Sequence, residues 1–152
     1  MKKIFSIILL SLIISGCGFS PLHKDTELKS SKYNFEIIEK SGDKEINYYI
    51  TSNLAKYYKS DESEIIEINI NSNYSLNGIS KNKKGETLVY ALTITVEFDI
   101  TKNNKNNKII LEDTINFNKF NNTFKQKNYE KRTKEEISKF LVDRFINRLF
   151  LY

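Results

Sequence analysis

The sequence contains very few of the residues that build disulfides, metal sites and nucleophilic active centres. Its 152 residues include one cysteine, Cys17, and one histidine, His23. A disulfide within the chain is therefore excluded, and a zinc-type site would lack most of its ligands. The serines have no histidine base in a plausible constellation. We accordingly expect no catalytic residues, no metal and no cofactor other than a covalently attached lipid.

Proline, glycine and tryptophan are also scarce, and the charge is nearly balanced. One Pro, five Gly and no Trp are typical of a compact domain with polar loops, and no glycine-rich phosphate-binding loop is present. The formal net charge is +5, and removal of the N-terminal segment described below would lower it by two. This excess is too small to indicate nucleic acid as a partner.

One acidic cluster, formed by Asp61, Glu62 and Glu64, has the residue types of a hydrolytic carboxylate pair. It falls at an expected helix-to-strand turn and has no aromatic platform beside it. A solvated loop is the favoured interpretation, and replacing Glu62 or Glu64 is expected to abolish no activity. The sequence therefore favours a non-enzymatic role.

The first residues have the pattern of a secretory signal that ends at Cys17. A basic start, MKK, precedes an apolar run over residues 4–14, which is shorter than the roughly 20 residues of a membrane-spanning helix. The sequence ISGC resembles a bacterial lipobox, whose cysteine is acylated and becomes the first mature residue. We expect residues 1–16 to be a lipoprotein signal peptide and Cys17 to carry the lipid. The alternative is an ordinary signal peptide with a coincidental cysteine.

The remainder divides into a tether over residues 17–32 and a single domain over residues 33–152. A short apolar burst, YNFEIIEK, predicts a first strand, and Asp43 is a plausible N-cap for a helix extending to about Lys59. The apolar stripe of that helix is expected at Ile46, Tyr49, Ile50, Asn53, Leu54 and Tyr57.

From Glu64 the apolar residues recur at every second position, which predicts an antiparallel sheet with one buried and one polar face. A polar turn is expected over residues 101–108. The positions expected to face the core are Ile66, Ile68, Ile70, Tyr74, Leu76, Leu88, Tyr90, Leu92, Ile94, Val96, Phe98, Ile100, Ile109, Leu111, Ile115 and Phe117. Asp113 interrupts this face.

A C-terminal helix completes the domain. Thr133 to Glu136 fits a capping box, although the helix could begin earlier, near Lys127. Its apolar stripe is expected at Ile137, Phe140, Leu141, Phe145 and Leu149. The order β-α-β-β-β-α predicts an α+β two-layer sandwich, in which two helices cover one face of a mainly antiparallel four-stranded sheet.

Two lysine-rich loops are candidate binding sites for acidic or phosphorylated partners, including anionic glycolipids. Lys81, Lys83 and Lys84 lie in the first loop, and Lys105 lies in the second. In a meander of three long strands these loops lie at opposite ends of the sheet. The alternative is that they are soluble turns in a sequence generally rich in Lys and Asn.

Several stretches resemble the LptE family of lipopolysaccharide-assembly lipoproteins. The opening CGFSPL, residues 17–22, is similar to the family's mature start, where Cys-Gly-Phe is frequent. The strand ending VEFDI, the segments INFNKF and NTFKQKNYEKR, and the final DRFINRLFLY follow the family's layout. The resemblance covers nearly the whole chain in the order of its elements, through motifs that are individually short.

The resemblance implies an outer-membrane lipoprotein that faces the periplasm and sits as a plug inside a large β-barrel translocon, LptD. Such proteins help the barrel fold and assist delivery of lipopolysaccharide, for which Lys81, Lys83, Lys84 and Lys105 are the candidate contacts here. The competing hypothesis is another periplasm-facing lipoprotein that serves a barrel-assembly or lipid-transport complex.

Overall fold

The computed structural model describes residues 34–58 and 65–149, and all structural statements below concern these residues. Within these residues the chain forms four strands, two α-helices and a short 3₁₀ turn. These elements are β1 (Asn34–Gly42), α1 (Lys44–Leu54), the 3₁₀ turn (Ala55–Tyr57), β2 (Ile65–Lys81), β3 (Thr87–Lys102), β4 (Lys105–Asn118) and α2 (Thr123–Leu149).

The passage from β1 to α1 is fixed by Gly42 and Asp43. Gly42 has φ = +87°, and a Cβ atom there would lie 1.8 Å from the backbone oxygen of Ser72, so no other residue fits without displacing β2. Asp43 Oδ1 accepts hydrogen bonds from the backbone amides of Glu45 and Ile46, each at 2.9 Å. The predicted N-cap is therefore confirmed, and α1 begins at Lys44.

The sheet has the strand order β1-β2-β3-β4. β2, β3 and β4 form the antiparallel meander that the alternating pattern indicates, whereas β1 pairs with β2 in parallel. The crossover between these parallel strands contains α1, as such connections usually do. The sheet is thus mainly antiparallel, as predicted.

The turn between β3 and β4 is much shorter than the polar segment 101–108 suggested. Only Asn103 and Asn104 lie outside the strands, with φ = 51° and 60°. Positive φ at both central residues is the signature of a two-residue type I′ hairpin, and asparagine tolerates it better than most residues. The polar residues on either side continue the strands because their backbones pair with each other.

The second helix begins ten residues before the predicted capping box. Asn122 caps it, since its side-chain Oδ1 accepts from the Lys125 amide at 3.0 Å and its carbonyl accepts from the Gln126 amide at 3.0 Å. Thr133 is not a cap but a buried residue inside the helix, 3% exposed. The capping-box interpretation was wrong, and even the earlier alternative near Lys127 starts too late.

Both helices pack on the same face of the sheet, and their buried side chains join those of β2, β3 and β4 in one core cluster. Phe98 and Phe145 stack at its centre with ring centroids 4.1 Å apart. The α+β two-layer sandwich with two helices on one face is therefore confirmed.

Two predicted core positions lie outside this core. Leu88 is 47% exposed because it lies beyond the region of β3 that α2 covers, and Phe140 is 49% exposed at the side of α2. Residues that the α2 stripe omitted, Val142 and Ile146, are buried instead. The helix therefore rests on the sheet with a slightly different face from the one expected.

Candidate functional site

The face of the sheet opposite the helices is mostly polar. Across β3 and β4, the Thr93 and Thr114 hydroxyls lie 2.9 Å apart, and Thr101 Oγ1 donates to Asn106 at 3.0 Å. On β2 the same face carries the exposed residues Glu67, Asn69, Asn71, Asn73 and Asn77. These hydrogen-bonding side chains, mostly uncharged, make a broad surface suited to a polar partner. We call it the polar sheet face.

Charge on the polar sheet face is concentrated near the β3–β4 turn. Lys108 Nζ lies 2.6 Å from Glu97 Oε1 and 3.4 Å from Asp99 Oδ1. The hydrogen bond to Glu97 is the largest influence that raises the Lys108 pKa above its usual value. Because this lysine is already paired with two carboxylates on its own sheet, it is a poor candidate for binding an anionic ligand.

Three of the predicted lysines lie at one end of the sheet, Lys81 as the last residue of β2 and Lys83 and Lys84 in the loop between β2 and β3. Asn82 organises the loop, since its Oδ1 accepts from the amides of Lys84 at 2.9 Å and Glu86 at 3.0 Å. Its Nδ2 also donates to Glu86 Oε2 at 2.7 Å. Lys81, Lys83 and Lys84 are exposed on this ordered turn.

Lys105 lies at the other end of the sheet, beside the β3–β4 turn. It lines a cavity of about 450 Å³ together with Lys102, and the apolar side chains of Ile66, Ile100 and Leu149 also line this cavity. Amines beside an apolar surface suit an amphiphile with an anionic headgroup. We call this cavity the Lys105 pocket.

The four predicted lysines therefore form two groups rather than one site. The sixteen residues of β3 separate them, a span of roughly 50 Å at about 3.4 Å per residue. The sequence placed the two loops correctly at opposite ends, but a single ligand headgroup cannot contact both.

A feature that the sequence did not reveal lies near the first loop. An open groove of about 860 Å³ runs between the β2–β3 end of the sheet and the start of α2, next to an aromatic cluster. In that cluster the Tyr129 ring lies 4.9 Å from Phe117 and 5.3 Å from Phe120, measured between centroids. The alternating pattern predicted that Phe117 faces the core, but no pattern in the sequence indicated that Phe120 and Tyr129 pack against it.

Two predicted features relevant to chemistry, Cys17 and the acidic cluster at residues 61–64, lie outside the described residues. Within residues 34–58 and 65–149, no group of three His, Cys, Asp or Glu side chains is arranged to hold a metal ion. Over the same residues, neither helix combines the length and apolarity needed to cross a membrane.

Comparison with known proteins gives a match in fold alone. No protein-family model matches the sequence, and no curated protein matches it. The rare lipoprotein B of Shewanella oneidensis superposes with a TM-score of 0.57 at 13% identity, covering 75% of this chain and 93% of that one. The chain shares its fold with bacterial lipoproteins.

Two further structures support the same statement. A putative lipoprotein from Caulobacter crescentus CB15 has a TM-score of 0.52 at 11% identity, with coverage of 82% of this chain and 90% of that chain. An uncharacterized lipoprotein B from Nitrosomonas europaea has a TM-score of 0.50 at 16% identity, with coverage of 79% and 85%. At such low identity the likeness concerns the arrangement of strands and helices and carries no residue roles.

Proposed function

We propose that this chain is an outer-membrane lipoprotein of the LptE type, which plugs an LptD-type β-barrel translocon, helps it assemble and assists delivery of lipopolysaccharide. The observation that carries the proposal is the polar sheet face. It is long, rich in Thr and Asn, and left uncovered by both helices. Lumens of large outer-membrane barrels are polar, so such a face suits contact with a lumen wall.

The anchor agrees with this assignment. A cysteine in a lipobox, followed by Gly18 rather than an aspartate, is typical of lipoproteins sorted to the outer membrane. Two or more acyl chains hold a domain stably on a membrane where one chain would bind only marginally. The fold shared with bacterial lipoproteins supports the same class. We therefore propose lipid anchoring at Cys17, with the domain facing the periplasm.

Glycolipid contact is proposed at the basic ends of the sheet. Phosphate groups of lipopolysaccharide would bind the exposed amines of Lys81, Lys83 and Lys84 at one end, or Lys105 at the other. The Lys105 pocket additionally offers apolar side chains to the lipid portion of an amphiphile. The two ends are too far apart to share one headgroup, so they would act at separate points of the delivery path.

Copurification tests the partner. The acylated chain, extracted from membranes in mild detergent, is expected to recover a large β-barrel of the LptD type in stoichiometric amount. Recovery of an inner-membrane transporter or of an unrelated barrel-assembly complex would instead support the competing accessory-subunit hypothesis and overturn this one.

Glycolipid binding is tested by changing each basic end separately. The Lys83→Gln/Lys84→Gln double variant and the Lys105→Gln variant remove charge at one end each, while Lys139→Gln removes an exposed charge from the helix layer as a control. We expect lipopolysaccharide binding, measured by ligand capture in detergent, to weaken in at least one of the loop variants and to remain unchanged in the control. Equal binding by all variants would contradict a role for these lysines.

A further inference from the structure

The Lys105 pocket lies at the end of α2. Leu149, the last residue of α2, lines it together with Ile66 of β2 and Ile100 of β3. These three side chains form the apolar part of the lining and are nearly buried, at 8%, 0% and 4% exposure. The remaining lining is polar and comes from the β3–β4 turn and its neighbours, including Lys105. The chain that follows Leu149 therefore starts at the wall of this pocket.

The residues that follow Leu149 suit an apolar cavity. They are Phe150, Leu151 and Tyr152, and they lie outside the described residues. A segment of three residues spans roughly 10 Å when extended, so it can enter the adjoining pocket but reaches no distant surface. Residues 59–64, which precede β2, are all polar or charged and offer no side chain that suits an apolar wall.

The buried rows of α2 indicate which of these side chains turn toward the pocket. Residues three or four apart lie on the same face of a helix. Phe150 is the next position after the buried Ile146, and Tyr152 is the next after the buried Leu149. Leu151 instead continues the exposed face of the last turns. If the pattern of α2 is extended, the two aromatic rings face the pocket and Leu151 faces water.

Lys105 is the amine of this pocket that can accept an anionic ligand. It forms no ion pair with another residue in the ranges 34–58 and 65–149. Lys102 and Asn103, which also line the pocket, already have interaction partners. An anionic amphiphile that pairs with Lys105 would lay its apolar chain against the same wall that Leu149 helps to form.

We propose that residues 150–152 occupy the Lys105 pocket in the absence of lipid, with the Phe150 and Tyr152 rings inside it, and that an anionic amphiphile binds by displacing them. Because the apolar wall is already nearly buried, docking is favoured mainly by removing these two rings from water. The ordering of three residues opposes docking, so the segment remains displaceable. The displacement step rests on the glycolipid role proposed for Lys105, whereas the docking of the segment does not.

A single tryptophan tests whether the segment docks, because the chain contains no other. The full-length acylated chain is held in phosphatidylcholine nanodiscs, which avoids detergent that could enter the pocket. We expect the indole of Phe150→Trp to be quenched by acrylamide severalfold less than that of Leu151→Trp, the matched control. Equal quenching at the two positions would overturn the proposal.

Nitroxide quenching tests whether the shielded ring lies in this pocket. A nitroxide attached to Lys105→Cys should strongly quench the fluorescence of Phe150→Trp. One attached to Lys83→Cys, at the far end of the sheet, should leave it unchanged. The chain without either new cysteine contains only Cys17 and measures background labelling. No quenching from position 105 would show that the ring lies elsewhere and would overturn the proposal.

Octyl phosphate, a water-soluble anion with one apolar chain, tests displacement, with empty nanodiscs as the blank. If the pocket is free for about one tenth of the time, Phe150→Ser/Tyr152→Ser should bind octyl phosphate about tenfold more tightly than the parent chain. Leu151→Ser should bind it like the parent, and Lys105→Gln should bind it more weakly. Octyl phosphate should also make the indole of Phe150→Trp accessible to acrylamide.

The outcomes separate this proposal from the glycolipid role on which displacement rests. Equal binding of octyl phosphate by the parent and by the double serine variant would overturn displacement and leave the role of Lys105 intact. Continued shielding of Phe150→Trp at saturating octyl phosphate would do the same. Failure of octyl phosphate to bind even the double variant would refute both displacement and ligand binding at Lys105.

Discussion

The stacked pair at the centre of the core gives the sharpest stability prediction. Phe98 is fully buried, and its ring lies 4.1 Å from that of Phe145 at an interplanar angle of 21°. Truncation to alanine removes the buried ring, leaves a cavity and loses the aromatic contact between β3 and α2. Core Phe→Ala changes cost about 3–5 kcal/mol, and we expect Phe98→Ala to lie near 4 kcal/mol.

Urea denaturation followed by circular dichroism measures this cost. With a denaturant slope of about 1.5 kcal/mol per molar, a loss of about 4 kcal/mol lowers the midpoint by roughly 2.7 M. Phe124→Ala is the matched control, because that ring is 73% exposed and its truncation should change the midpoint very little. Phe98→Asp should abolish folding altogether, since it places an unpaired charge in the core. Similar midpoints for Phe98→Ala and Phe124→Ala would refute the assigned core.

Three other changes test local features. Gly42→Ala should destabilise the domain by more than about 2 kcal/mol in the same assay, because φ is +87° and the new Cβ would lie 1.8 Å from a backbone oxygen of β2. Burial of the Tyr57 hydroxyl, followed by its 2.5 Å hydrogen bond to Asp143, raises the Tyr57 pKa to about 12. The free energy of unfolding of the wild-type domain should therefore fall between about pH 10 and 12, because in this range the hydroxyl ionises in the unfolded chain but not in the folded one. Tyr57→Phe should flatten that fall, and an unchanged pH profile would contradict the assignment. Thr95→Asp places a carboxylate beside Glu112, whose side chain now accepts a 2.9 Å hydrogen bond from Thr95, and should cost about 1 kcal/mol without unfolding the domain. It should also weaken barrel copurification.

The alternating pattern predicted most of the sheet because it reflects a physical asymmetry between its faces. From Ile66 to Ile70 and from Leu92 to Ile100, every second residue is buried as expected. The Asp43 cap was also predictable, because aspartate is a preferred N-cap residue and Asp43 directly precedes an amphipathic segment. These features depend on neighbours in sequence, and local patterns can encode them.

The start of α2 could not be predicted because its first turns have no apolar stripe. They are held by the Asn122 cap and by Tyr129, which packs on Phe117 and Phe120 from other parts of the chain. The parallel placement of β1 also depends on a distant strand. Leu88 follows the alternating pattern of β3, but its side chain is exposed because no helix covers it.

The candidate site also has features that local sequence predicts and features that depend on contacts between distant residues. The separation of the two lysine loops followed from the meander, and the sequence predicted it. The sequence could not predict the Lys105 pocket, because the Ile66, Ile100 and Leu149 side chains that line it come from three different elements. The assignment of Lys81, Lys83, Lys84 and Lys105 to glycolipid binding, like that of Cys17 to the anchor, stays a prediction.

Photo-crosslinking in intact cells is a direct test of whether the polar sheet face contacts a β-barrel. A photoreactive residue at Asn73, an exposed position on the polar sheet face, is compared with one at Lys139, exposed on the helix layer. We expect the Asn73 probe to form a strong adduct with a large outer-membrane β-barrel of the LptD type, and the Lys139 probe to form less of it. An Asn73 probe that captures no barrel, or that captures a component of another complex, would contradict the proposal that this face lies against a barrel wall.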